Sequence, residues 1–234
     1  CLGVEHLARL RASCTFLGFP FPQADLEALS VEGARRHGLP DASARITVTS
    51  GAGGDLGGPG DRPGSLLVQI RAAIGPGTGL KLHVISHRQS VTSVLYRHKT
   101  LRYLERAMAV REARAQGADE AIFLNDRGEV AEGTTASIFW VKGGKLHTPS
   151  IDCNILAGVT RMAAIRAARE LGIDVSEVRV PMADLEGSDE AFLTSATRGV
   201  AHVAAVNGKR IGSGKPGELT LRLASAVTRI EDGG

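Results

Sequence analysis

Aromatic residues are scarce in this sequence: one Trp, two Tyr and six Phe make up 4% of its 234 positions. The 28 basic and 25 acidic side chains are interspersed, without basic blocks or aromatic-basic stripes, so nucleic acid is not an expected partner. Long apolar runs are missing too. The longest, such as residues 138–141 and 204–206, fall far short of the ~20 residues that cross a bilayer, and no membrane role is expected. Cysteine is limited to Cys1, Cys14 and Cys153, an odd and scattered set that argues against a disulfide scaffold and against a closed zinc site. A cytoplasmic setting without a metal is the expectation.

What is present is ordinary globular composition, 43% hydrophobic and 23% charged, with 29 glycines. Seven of those glycines and two prolines fall in residues 50–64, which read as a flexible loop; no G-x-x-x-x-G-K-[ST] occurs there to make it a phosphate loop. Leu7, Leu10, Cys14 and Leu17 recur at helical spacing over residues 6–17, and residues 26–36 give a second helix. Strands are expected at 45–49, 66–70, 81–86 and 91–96, then a strongly periodic helix over 101–116 that stops at Gly117. Residues 121–148 read as one antiparallel meander with turns at Asp126-Arg127-Gly128 and Gly143-Gly144. A helix over 160–171, strands near 175–180, 190–194 and 201–206, and a last helix over 218–230 complete the pattern. Strands and helices alternate without a repeat, which points to an α+β protein of two subdomains, residues 1–95 and 96–234. Because position 1 is Cys and the chain opens on a helix, an upstream segment is expected to be missing.

Lys99 sits at an element boundary, where a side chain can project into a cleft. To act as a nucleophile it needs partial deprotonation, which desolvation and a cationic neighbour such as Arg97 promote. Taken alone, such a lysine is ordinarily a solvated charge. Glu132 follows a strand, and Gly158-Val159-Thr160 opens a helix, where free backbone N–H groups and the dipole attract phosphate. Each has a plain alternative, as a turn residue and as an ordinary cap.

Read together and in order, HKTLRYLE at 98–105, EGTTASIF at 132–139, LAGVTR at 156–161 and TSATRGV at 194–200, with HLARL at 6–10, change the weighing. The set resembles the class IV aminotransferase family, which includes branched-chain and D-amino acid aminotransferases and aminodeoxychorismate lyase. The resemblance implies a small N-terminal α/β sandwich and a larger C-terminal pseudo-barrel, a homodimer, and pyridoxal 5'-phosphate (PLP) as cofactor. It gives Lys99 the Schiff base and the proton transfer at the substrate Cα. Glu132 takes the pyridine nitrogen, whose protonated ring is the electron sink. Leu156 packs on the ring face. Arg9, Gly158, Val159 and Thr160 hold the phosphate, with Ser195, Ala196 and Thr197 at the third phosphate segment.

Two positions depart from the family pattern. Ser137 replaces a usual Asn, and Ala196 replaces a phosphate-binding Thr, a loss that Thr194, Ser195 or Thr197 could offset. The two or three strands that family members carry before HLARL, with part of the substrate pocket, are absent here. Three readings follow. The first is transfer of an amino group between a small or branched-chain amino acid and a 2-oxo acid. The second is elimination of pyruvate from aminodeoxychorismate, leaving 4-aminobenzoate, and the third is a degenerate member that turns nothing over. Residues 208–220 look like the aminotransferase tail, whereas Arg97-His98-Lys99-Thr100 and Arg198-Gly199-Val200 look more like the lyases. Tyr96, Arg97, Arg198 and His202 are the substrate-pocket candidates, a guanidinium suiting a carboxylate by its bidentate geometry.

Overall fold

A computed structural model describes residues 2–51 and 64–233. Most of the glycine-rich stretch, expected as a flexible loop, lies outside the described residues. The chain divides into two compact units, one from Gly3 to Gly75 and the other from Pro76 onward. The division by compactness precedes the expected one after residue 95, because a strand at residues 80–89 belongs to the sheet of the second unit.

The first unit holds helices α1 (Gly3–Leu17) and α2 (Leu26–Arg36) and a two-stranded antiparallel sheet of β1 (Ala42–Val48) and β2 (Leu66–Ala72). Asp25 starts α2 by accepting the Ala28 N–H at 2.9 Å, an N-cap that satisfies one of the helix's four orphan donors. Gly33 on α2 meets Ile70 of β2 so closely that a Cβ there would lie 2.7 Å from Ile70 Cγ1 and force that side chain to shift, so glycine lets the helix pack this close to the sheet.

The second unit contains the long helices α3 (Leu104–Ala115), α4 (Val159–Glu170) and α6 (Glu218–Asp232), and the short α5 (Met182–Glu186). Its strands are β3 (Leu80–Gln89), β4 (Glu120–Asn125), β5 (Val130–Gly133), β6 (Ser137–Lys142), β7 (Lys145–Pro149), β8 (Val175–Val178), β9 (Glu190–Ser195), β10 (Gly199–Val206) and β11 (Lys209–Arg210). They form one sheet in the order β5-β4-β3-β10-β9-β6-β7-β8, with β11 paired to β10. The sheet curls until its ends meet: the Val130 N–H of β5 donates to the Val180 carbonyl just past β8, and Glu129 bridges Pro181. Closure leaves fewer exposed edges and produces the expected pseudo-barrel.

Strand alternation sorts the core. Ile138 and Trp140 join Ile122, Leu124, Leu193 and Val203 on one face, while Phe139 and Val141 turn to the other and pack with Phe192 against α4 and α6. A third cluster seats Ala109 and Ala113 of α3 on Ala121 and Phe123 of β4. No helix among the described residues is long and apolar enough to cross a membrane.

Two expectations are corrected. Residues 91–96 are not a strand but a turn followed by a 3-10 helix, Val94–Arg97. The Ser90 carbonyl accepts both the Ser93 N–H at 3.2 Å, which closes the turn, and Asn154 Nδ2 at 2.7 Å, and the Ser93 carbonyl accepts Asn154 Nδ2 as well, so the segment is bonded as a turn instead of a ladder. Residues 121–148 are not one meander but two hairpins, β4–β5 and β6–β7, separated in the sheet by β3, β10 and β9. The chain leaves β5 because side chains bind the main chain at the crossing: Arg106 Nη1 donates to the Gly133 and Thr134 carbonyls, and Glu120 Oε1 accepts the Thr134 N–H at 3.2 Å.

Candidate active site

Glu132, expected to follow a strand, is the third residue of β5 itself and the first feature of the site; it is buried. Its Oε1 accepts from Arg106 Nη2 at 2.8 Å and from Gln89 Nε2 at 3.4 Å. Its Oε2 accepts the Leu156 N–H at 3.1 Å, which leaves that oxygen a lone pair for another donor. A carboxylate out of water needs such partners to stay charged. Burial works against the Arg106 charge, but the ion pair and hydrogen bond to Glu132 outweigh it and hold the guanidinium above its ordinary range.

Leu156 lies in the irregular segment before α4, which opens at Val159 with Gly158 as N-cap and no side-chain cap. The first N–H groups of α4 are therefore open to an anion. A Cβ at Gly158 would meet Ser137 Oγ at 2.9 Å, so glycine lets β6 approach the helix start. Ser137 in turn stands opposite Thr194 of β9, whose buried Oγ1 has no protein partner. Ser195 is half-buried at the end of β9, with Ala196, Thr197 and Arg198 exposed in the turn to β10. The sheet thus brings Glu132 to Leu156, and Gly158 to the Ser137–Thr194 pair. Thr160 Oγ1, expected to hold phosphate, lies 3.2 Å from Glu231 Oε1 of α6.

Lys99 lies in the irregular stretch between the 3-10 helix and α3 and is exposed, so the desolvation expected for it is not supplied by this chain's own packing. The neighbouring Arg97 donates through Nε to Asn154 Oδ1 at 3.1 Å, tying the lysine-bearing stretch to the segment that leads into Leu156. Asn154 is fully buried and holds the left-handed conformation (φ 63°) from which it makes all three bonds.

The other pocket candidates have structural commitments. The Tyr96 hydroxyl donates to Glu105 at 2.7 Å, and burial followed by that bond pushes its pKa up to about 12, so it stays protonated. His202 is buried in β10. Its Nδ1 accepts the Gly79 N–H at 3.2 Å, the Lys215 backbone bonds the ring as well, and burial holds its pKa below the ordinary value. Arg9 sits on α1 in the first unit, 3.3 Å from His6 Nδ1. The Cys153 thiol, raised to about 11 by burial and then by Glu129, is no nucleophile at neutral pH.

Sequence reasoning missed Arg106, Gln89, Glu120 and Asn154. Arg106 left one readable trace: it shares a helical stripe, at i+3 and i+7, with Ala109 and Ala113, the two buried residues of α3. A cation in line with a buried face asks for a buried anion.

The fold and these groups define a two-unit α+β protein with a pinned carboxylate on a closed sheet near an open helix start. The model of the family described as Amino-transferase class IV matches residues 2–206. A Methanocaldococcus jannaschii protein provisionally named branched-chain-amino-acid aminotransferase is 35% identical over 227 residues, covering 94% of this chain and 78% of that one. Among solved structures, the Escherichia coli branched-chain amino acid aminotransferase has a TM-score of 0.88 at 28% identity, over 97% of this chain and 77% of that one. A Legionella pneumophila protein provisionally named 4-amino-4-deoxychorismate lyase has a TM-score of 0.90 at 26% identity, over 97% and 84%. The chain belongs to the class IV aminotransferase family, whose members depend on PLP.

The residues present fit that cofactor. Glu132 offers a carboxyl oxygen with a spare lone pair for a ring N–H, α4 offers uncapped N–H groups for a phosphate, and the orphaned hydroxyl of Thr194 lies beside Ser137, where an added acceptor would satisfy it.

Proposed function

We propose that this chain uses PLP to transfer an amino group between a small or branched-chain amino acid and a 2-oxo acid. The observation that carries the reading is the Glu132 carboxylate, fixed by Arg106 and the Leu156 N–H within the EGTTASIF motif. When bound, the cofactor supplies the electron sink for the bond broken at the substrate Cα. Lys99 carries it and moves the proton at that carbon through Nζ. Glu132 holds the proton on the ring nitrogen, and Leu156 packs against the ring. Gly158, Val159 and Thr160 take the phosphate with their N–H groups, and Thr194, Ser195 and Thr197 stand in for the hydroxyl that Ala196 lacks. Arg9 is assigned to the phosphate on the HLARL motif, and Arg97 and Arg198 to substrate carboxylate on their guanidinium chemistry.

A homodimer belongs to this proposal. Val94, Leu95, Leu101, Leu104 and Met108 are exposed on both sides of Lys99 in sequence, Leu104 by 76%. A second copy over that run would remove apolar surface from water and desolvate the lysine together. The proposed setting is cytoplasmic, in keeping with the free thiols of Cys14 and Cys153.

The lyase reading is supported by the likeness to the Legionella protein and by Arg97–Thr100 and Arg198–Val200. The test is the visible spectrum of the protein purified with PLP, borohydride reduction with mapping of the labelled lysine, and assays with L and D amino acid donors and with aminodeoxychorismate. A band that shifts with amino donors and keto acid from at least one of them is expected, in a particle of twice the chain mass. A featureless spectrum refutes the cofactor, and 4-aminobenzoate with no keto acid replaces transferase by lyase.

Glu231 gives a further expectation. Burial chiefly raises its carboxyl pKa, with the Thr160 hydroxyl pulling the other way. Below its raised range Glu231 is neutral, and as pH climbs through that range it becomes an anion beside the proposed phosphate seat. PLP affinity is therefore expected to fall, relative to Glu231→Gln, as pH rises across that window, with the variant roughly fivefold tighter at the upper end. Equilibrium dialysis over pH checks this; superimposable curves for the two proteins would refute it.

A further inference from the structure

Arg106 is held more closely than a surface helix charge. One guanidinium nitrogen bonds Glu132 Oε1 at 2.8 Å, and another donates to the Gly133 and Thr134 carbonyls. Its side chain is 19% exposed, against 4% for Glu132. The ring of Phe123 in β4 lies under it, 5.9 Å from the guanidinium carbon. The competing anion on the same helix, Glu105, is already engaged by the Tyr96 hydroxyl, by Arg102 at 3.3 Å and by His87 at 2.7 Å. Tyr103 and Tyr96 also interact with Arg106, and from β3 the neutral Gln89 amide reaches Glu132. The charge of Arg106 is therefore committed to Glu132, and a carboxylate that already serves a cation is a weaker base toward a second one.

We propose that Arg106 is a positioning residue that shares the Glu132 carboxylate with the cofactor's ring nitrogen and so loosens the hold on the ring proton. The inference rests on the PLP reading above. It makes the ring nitrogen of the bound cofactor a titrating group below about pH 10, where a carboxylate serving that nitrogen alone would keep it protonated throughout.

The test is the ring-nitrogen chemical shift of bound ¹⁵N-labelled PLP, followed against pH in wild type, Arg106→Gln and Arg106→Lys. In the wild type the shift should move from its protonated to its neutral value below about pH 10. In Arg106→Gln the midpoint should rise by about one to three pH units, the range for removing a charge at contact distance. In Arg106→Lys, which keeps the charge but loses the fork that binds the carboxylate and the carbonyls together, it should stay within about half a unit of wild type. A wild-type nitrogen that remains protonated to pH 10 overturns the proposal even should the glutamine variant not fold, and so does an unchanged midpoint in Arg106→Gln. If wild-type protein binds no PLP at all, the cofactor reading itself has failed and this proposal goes with it; binding with the wrong titration removes this proposal alone.

Discussion

Lys99→Ala is expected to leave a folded protein that binds PLP reversibly, takes no borohydride label and turns over at least about a thousandfold more slowly than wild type. Folding should survive because Lys99 is exposed and lies outside both flanking helices, so its removal opens no core cavity and breaks no helical hydrogen bond. Catalysis should not, because the proposed amine does two things at once: it carries the cofactor and moves the proton at the substrate Cα. Added methylamine should restore part of the rate by supplying a small base where the side chain was cut away. Single-turnover measurements at the cofactor band, with and without methylamine, decide the matter. A variant that keeps wild-type turnover would remove Lys99 from the mechanism, and with it the meaning of the HKTLRYLE match.

The periodic elements were legible because local pattern and tertiary outcome agree. Residues 26–36 and the β6–β7 hairpin carry their caps, turns and alternation in the chain itself. The α+β class came from the alternation of strands and helices, and the closed sheet from the family motifs. The failures share a cause. Residues 91–96 have the composition of a strand, but Asn154, about sixty residues on, bonds the Ser90 and Ser93 carbonyls and holds the segment in a turn. The hairpins of the expected meander are individually right, yet β3, β10 and β9 enter between them, an ordering set by parallel pairings of β3 that no local signal encodes. At the site, the motif residues Glu132, Leu156 and Gly158 could be named from sequence. Their supports, Arg106 on α3 and Gln89 on β3, could not, since they are joined to Glu132 only by the fold.

Glu132→Gln should separate the two things that carboxylate does. The amide has the same shape, so the Leu156 N–H can still find an oxygen, but Arg106 then lies in a largely buried place without its counter-ion. Removing one partner of such a pair typically costs more than the pair ever contributed, and a loss of about 2–3 kcal/mol is expected. For a chain of this length that is a fall of roughly 5–10 °C in Tm. Turnover should fall by about a hundred- to a thousandfold, the scale for deleting one preorganised electrostatic partner of the reacting group, because an amide cannot keep the ring proton in place. The double variant Glu132→Gln with Arg106→Gln distinguishes these effects: pairing two neutral amides should recover most of the lost Tm while leaving turnover at the single-variant level. Calorimetry and steady-state kinetics on the four proteins of the cycle provide the comparison. Recovery of rate along with stability would mean that Glu132 serves only to neutralise Arg106, and the ring nitrogen would need another partner.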